Sequence, residues 1–123
     1  MESKAMIWAG RVMSAIPVLM LLFSAAMKFT GSPQLAEGFG HLGWPVGQAL
    51  GLGVLELTVT LLYVLPWTRV LGAILVTGYL GGAVAAHVRI GDPFWVQVLL
   101  GMLAWGGLYL RDKRLRELLP MTR

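Results

Sequence analysis

The sequence predicts an all-α integral membrane protein, a four-helix bundle with both the N and C termini cytoplasmic. Its composition, its apolar runs and the placement of its basic residues predict this class. Apolar residues make up 57% of the 123 residues and charged residues 13%, against about 45–50% and about 25% in soluble domains. Because so small a globule cannot bury that many apolar side chains, we expect lipid to surround most of them.

Four apolar runs are each long enough to cross the hydrocarbon core, which takes roughly 20 helical residues. Lipid offers no partner to backbone N–H and C=O groups, so we interpret the runs as helices of a single transmembrane domain. The apolar part of the first run is long for a signal peptide, which favours its retention as a helix. The predicted helices cover about residues 5–28, 46–65, 70–88 and 93–110.

Two joints between the runs place a capping residue before a proline, as at helix starts. They are Ser32-Pro33 and Asp92-Pro93, so Asp92 is predicted to begin the fourth helix. Residues 33–41 are predicted to form a short helix on the membrane surface. Its lipid-facing side chains are expected to be Leu35, Phe39 and Leu42.

The basic residues predict the orientation, because Lys and Arg concentrate on the cytoplasmic side of membrane proteins. Eight of the ten lie at the N-terminus, in the turn between the second and third helices, and in the tail 111–123, which resembles a basic membrane anchor. Because these residues flank apolar runs, no nucleic-acid partner is expected. The eight are Lys4, Arg11, Arg69, Arg111, Lys113, Arg114, Arg116 and Arg123, and the other two are Lys28 and Arg89.

The chain has no cysteine, which excludes disulfides, thiolate catalysis and thiolate-held metal centres. Its only histidines are His41 and His87, both predicted on the outer side. Two histidines give little basis for a haem or metal site, so no metal is expected.

Glu56 is the most informative residue, because it lies about ten residues, or about 15 Å, into the second predicted helix. A carboxylate at that depth is costly unless it is protonated, paired or facing water. Two partners remain open. Tyr79 is predicted at a similar depth on the third helix, and the Lys28 side chain leans back into the membrane toward Glu56.

Further polar residues could share a site with Glu56. Thr60 follows it by one turn on the same face, His87 leans inward from the end of the third helix, and Trp105 lies on the fourth. The third helix also repeats small residues every four positions, including Gly78 and Gly82. We expect these to let helix backbones pack closely.

Several segments together resemble the DoxX-like family of small bacterial four-helix membrane proteins. The resemblance implies a multi-pass protein of the bacterial inner membrane. It carries over no activity: the founding name attaches to a thiosulfate:quinone oxidoreductase of sulfur-oxidising archaea, and no catalytic motif maps onto this chain. The segments are residues 27–31, 43–45, 53–57, 68–73, 77–89, 91–93, 105–112 and 119–120.

Three functions remain open. The chain could hold a quinone- or lipid-like molecule in a pocket inside the bundle, by itself, as a homo-oligomer or as an accessory subunit of a membrane redox complex. It could be an enzyme with Glu56 as acid or base and Tyr79 or His87 as partner. It could be a small proton-coupled transporter, which the strong charge bias disfavours. The expected ligand contacts are Lys28, Glu56, Thr60, Tyr79, His87 and Trp105.

Overall fold

The computed structural model of the protein describes residues 3–119. Within that range the chain forms six α-helices and one 3-10 turn without any strand, so the all-α prediction is confirmed. Residues 120–123, the end of the predicted basic tail, lie outside the described range. The elements are α1 (Lys4–Lys28), α2 (Pro33–Leu42), the 3-10 turn (Val46–Gln48), α3 (Ala49–Val64), α4 (Arg69–Arg89), α5 (Trp95–Arg111) and α6 (Lys113–Leu118).

The four long helices pack side by side around a common core. Helix α1 lies between α3 and α5, and α4 lies beside α3 and α5 on the other side. The start of α1 meets the end of α5 where Gly10 faces Gly107, and the end of α1 meets the first half of α3 where Lys28 faces Gly53. Neighbouring helices therefore run antiparallel, and both ends of the described chain lie at the same end of the bundle.

The bundle turns its apolar side chains outward, as expected of a protein surrounded by lipid. Leu19, Phe23 and Met102 are 66%, 69% and 65% exposed, whereas Glu56 and Thr60 are fully buried. In the described part of the chain, three helical stretches are long and apolar enough to cross a membrane: Lys4–Lys28, Val46–Val64 and Arg69–Arg89. Soluble proteins show the opposite distribution, with apolar side chains inside and charged ones outside.

Helices α1 and α5 approach closely because small residues line their contact. A Cβ added at Gly10 would lie 2.6 Å from the carbonyl oxygen of Gly107. A Cβ added at Gly107 would in turn overlap the Ser14 hydroxyl. Neither position leaves room for a side chain, so these glycines set the spacing between the two helices.

The prediction that Asp92 begins the fourth long helix is wrong. Helix α5 starts at Trp95, after Phe94 as its N-cap, and no side chain caps it. The Asp92 carboxylate instead pairs with the His41 ring at 2.6 Å. The carboxylate is therefore engaged by a side chain of α2 rather than by the first N–H groups of a helix.

Helix α2 packs back against the bundle, and this overturns the prediction that Phe39 faces lipid. Phe39 is 8% exposed and belongs to the buried core. Besides the His41–Asp92 pair, the Arg89 guanidinium donates to the carbonyl of Leu42 at the end of α2. These two contacts hold α2 over the junction of α4 and α5, and this position turns Phe39 inward.

The junction of α5 and α6 is fixed by Asp112, which is 2% exposed. Its carboxylate caps α6 by accepting from the Arg114 backbone N–H at 3.0 Å. It also pairs with the guanidinium groups of Arg114 at 2.9 Å and Arg69 at 3.2 Å. Hydrogen bonds from the Arg114 side chain, supported by the charge of Arg69, lower the pKa of Asp112 from 3.8 to about 2.

Candidate ligand-binding cavity

A cavity of about 490 Å³ lies between the four long helices and beneath α2, at the end of the bundle opposite the termini. Its walls are mostly apolar, and its polar side chains come from α1, α3, α4 and α5. The volume falls within the range of about 300–1,000 Å³ typical of small-molecule sites. The lining residues are Met20, Leu21, Ser24, Lys28, Phe39, Leu42, Trp44, Leu52, Leu55, Glu56, Gly78, Tyr79, Leu80, Gly82, Ala83, Ala86, His87, Val96, Gln97 and Leu100.

A buried ion pair forms one wall of this cavity. The Lys28 ammonium lies 2.8 Å from Oε1 of Glu56, and the two side chains are 13% and 1% exposed. Ser24, one turn before Lys28, accepts from that ammonium at 2.7 Å and donates to the same carboxylate oxygen at 3.2 Å. Helix α1 runs toward this end, so Lys28 leans back into the bundle and reaches Glu56. Of the two partners left open by the sequence, Lys28 therefore forms the ion pair.

Tyr79 also lines the cavity and lies beside Glu56, close enough for its phenol to interact electrostatically with the carboxylate. The Glu56 carboxylate therefore meets a cation from α1 and a phenol from α4. Lys28 and Tyr79, the two partners considered from the sequence, therefore both line the cavity that contains Glu56.

His87 lines the cavity one turn beyond Ala83 on α4. Its Nδ1 lies 2.7 Å from the Ala83 carbonyl oxygen. A carbonyl only accepts hydrogen bonds, so Nδ1 carries the hydrogen. In the neutral ring the other nitrogen, Nε2, is then an acceptor.

Gln97 supplies a further polar group to the cavity, from α5. It lines the cavity, and its buried Oε1 accepts no hydrogen bond from the described residues 3–119. A buried amide oxygen without a donor is unfavourable.

Two predicted ligand contacts lie outside the cavity. Thr60 is fully buried and donates to the backbone carbonyl of Glu56 at 2.7 Å. Trp105 donates from its indole to the Thr77 hydroxyl. Thr60 and Trp105 each lie one or more helical turns from the nearest polar lining residue, toward the other end of the bundle. Lying on the same helical face as a lining residue was therefore not enough to place them in the cavity.

Gly78 and Gly82 of α4 have a different role from the predicted close packing. A Cβ added at Gly78 or Gly82 would meet no atom within 4 Å, and both glycines line the cavity. The close contacts occur at Gly10, Gly107 and Gly72 instead. Gly78 and Gly82 therefore provide space in the cavity rather than contact between backbones, whereas Gly72, in the first turn of the same helix, packs against the backbone of α3 at Tyr63.

The residues that close the cavity on the side of α2 were not predicted from the sequence. Phe39, Leu42 and Trp44 line it from above, although the pattern of α2 predicted a face toward lipid. The role of Ser24 beside the ion pair could have been predicted from the sequence, because Ser24 precedes Lys28 by one turn on the same helical face.

Within residues 3–119, no group of three or more His, Asp or Glu side chains is placed to hold a metal ion.

Comparison with known proteins finds one family. The model of the family described as the DoxX-like family matches residues 12–107. That stretch contains every residue that lines the cavity. No curated protein and no solved structure matches the chain.

Proposed function

Since this membrane protein belongs to the DoxX-like family, we propose that it binds one small amphipathic molecule, quinone- or lipid-like, in the Glu56 cavity. The supporting observation is a buried ion pair in the wall of a mostly apolar cavity of about 490 Å³. A pair that served packing alone would be enclosed by side chains. Here it borders room for a ligand.

The lining predicts the chemistry of the ligand. A polar head would meet the Lys28 ammonium and the Tyr79 phenol, which both offer hydrogen-bond donors. An apolar body would lie against Met20, Leu55 and their neighbours. A quinone head, whose carbonyl oxygens accept hydrogen bonds, suits Lys28 and Tyr79.

Binding is favoured over acid–base catalysis by the hydrogen bonds of Glu56, the residue expected to act as acid or base. Its Oε1 atom accepts from both Lys28 and Ser24. The carboxylate is thereby oriented and partly satisfied before any substrate arrives. A general base needs instead a basic atom within reach of the proton that it removes.

We also infer that α5 is a fourth crossing and that both termini are cytoplasmic, in the inner membrane. Helix α5 has 17 residues, about 25 Å at 1.5 Å per residue, close to the roughly 30 Å of the hydrocarbon core. It lies along α1, which is long enough to span. The basic residues cluster at the end that carries the termini, as the positive-inside rule requires.

The binding proposal is tested by filling the cavity. Gly82→Leu places a side chain in the space beside Glu56, where an added Cβ meets nothing within 4 Å. Gly81→Leu is the matched control, because Gly81 also has open space around it but does not line the cavity. We expect native mass spectrometry with decylubiquinone and with native lipid extract to show a bound molecule in the wild type and in Gly81→Leu.

In Gly82→Leu we expect that molecule to be lost or bound at least about tenfold more weakly, since a leucine side chain would occupy its volume. Equal retention by Gly82→Leu and Gly81→Leu would contradict the proposal. So would failure of the wild type to retain any molecule from either source.

A further inference from the structure

A second cavity, of about 220 Å³, lies at the opposite end of the bundle from Glu56. It is lined by Arg11 and Arg111, by the hydroxyl groups of Ser14 and Tyr63, and by small apolar side chains. Among the described residues 3–119, its two charged lining residues are both cations and no carboxylate lines it. This site shares no residue with the ligand cavity beneath α2.

A directed chain of hydrogen bonds fixes Arg111. The Tyr63 hydroxyl donates to the Ala104 carbonyl, which can only accept. Ser14 lies 2.7 Å from the Tyr63 oxygen and must therefore donate to it. The Ser14 oxygen is then free to accept from Arg111 at 3.0 Å. The bundle thus orients this guanidinium beside the cavity without neutralising it.

Both arginines have unused capacity for an anion. Within residues 3–119, neither Arg11 nor Arg111 forms an ion pair, whereas Arg69 and Arg114 share Asp112. The buried Nε–H of Arg111 has no acceptor in the same part of the chain. Arg11 instead lies over the Trp8 ring at 4.9 Å. Two cations lining one small space repel each other unless an anion lies between them.

The position of this cavity along α1 points to the head-group region. Trp8 is 61% exposed, and indole rings prefer the membrane interface. From Trp8 to Lys28 the helix rises by about 30 Å, the thickness of the hydrocarbon core. Arg11 starts one turn inside Trp8, and its long side chain reaches back so that the guanidinium lies over the Trp8 ring, at the interface with the head groups. Ala15, Val18 and Val64 form an apolar wall that suits the start of an acyl chain.

We propose that Arg11 and Arg111 bind the phosphate group of one anionic phospholipid in this second cavity. Guanidinium forks match phosphate oxygens in geometry and charge.

The test is native mass spectrometry of the full chain in mixed micelles with phosphatidylglycerol, phosphatidylcholine or neither, and with inorganic phosphate or glycerol phosphate as competitor. The variants are Arg11→Gln, Arg111→Gln, Arg111→Lys and Lys113→Gln. Lys113→Gln removes the same charge from an exposed residue outside the cavity.

We expect one phosphatidylglycerol to be retained in preference to phosphatidylcholine. We expect about tenfold weaker retention for each Arg→Gln variant and wild-type retention for Lys113→Gln. Arg111→Lys keeps the charge but loses the fork, so it should bind with intermediate strength. If Arg111→Gln does not fold, Arg11→Gln decides the matter, because Arg11 is exposed.

Equal retention of the two lipids by the wild type would overturn the proposal. An equal loss in Lys113→Gln would overturn it too, since it would indicate general charge attraction. Displacement of the lipid by millimolar glycerol phosphate would assign the site to free phosphate esters and overturn the lipid source.

Discussion

At the scale of single residues, the buried pair of Lys28 and Glu56 should affect stability and ligand binding differently. Taking two charges out of water is costly, and their attraction offsets that cost only when both are present. Removal of one partner leaves an uncompensated charge inside the bundle. Removal of both leaves a neutral wall of similar shape.

We therefore expect Lys28→Met to lower the free energy of unfolding by about 3–5 kcal/mol. The double variant Lys28→Met with Glu56→Gln should recover most of that loss, yet bind the amphipathic ligand poorly. Thermal unfolding in detergent measures the first effect, and native mass spectrometry the second. Lys113→Met controls for loss of a surface charge. A double variant as unstable as Lys28→Met would show that the pair does not act as a unit.

Asp112 makes stability depend on pH in a defined window. Its pKa is lowered to about 2 in the folded protein from an ordinary 3.8. A lowered pKa means that the stabilising contribution is present above the ordinary value and disappears as the pH falls through the folded value.

We expect the melting temperature to fall between about pH 4 and about pH 2 in the wild type, as Asp112 is protonated and releases Arg69 and Arg114. Asp112→Asn should start from a lower melting temperature and change less over that window. Thermal scans at a series of pH values compare the two. Parallel curves for the two proteins would rule out Asp112 as the titrating group.

At the scale of the helices, glycines have two opposite roles that look the same in the sequence. Gly10 and Gly107 sit where α1 and α5 touch, whereas Gly78 and Gly82 border open space. Spacing by four predicts a smooth face on a helix, but it does not tell whether a neighbour or a cavity lies against that face.

Gly107→Ala should lower the free energy of unfolding by about 1–3 kcal/mol, because the new Cβ overlaps Ser14 and pushes α1 from α5. Gly101→Ala, on the same helix, is the matched control, since its nearest neighbour is Leu80 at 3.8 Å. It should be neutral or gain up to about 1 kcal/mol from helix propensity. Thermal unfolding in detergent compares the two, and similar costs would refute the close contact at Gly107.

At the scale of the whole molecule, the absence of cysteine makes the topology open to labelling. A cysteine at Gly40, where an added Cβ meets nothing within 4 Å, and one at the exposed Lys113 report on opposite ends of the bundle. In sealed right-side-out vesicles a membrane-impermeant maleimide should label Gly40→Cys at once. Lys113→Cys should react only after the vesicles are opened. Prompt labelling of both, or the reverse order, would contradict cytoplasmic termini.

The sequence by itself determined that lipid surrounds this protein and that helices form its lipid-facing elements. Runs of about 20 apolar residues cannot be hidden in so small a chain, and lipid permits only helices, so composition and length suffice. The sequence also identified Glu56 as exceptional, because a carboxylate so deep in a transmembrane helix is costly unless it is protonated, paired or facing water.

Only the tertiary structure decided what each polar residue faces. Helix rotation and neighbour order depend on packing, and they bring Lys28, Tyr79 and His87 to Glu56 while leaving Thr60 and Trp105 outside the cavity. The turn of α2 over the bundle likewise depends on contacts between distant residues, such as His41 with Asp92. Periodicity along one helix carries no information about these contacts, because they form only when separate helices meet.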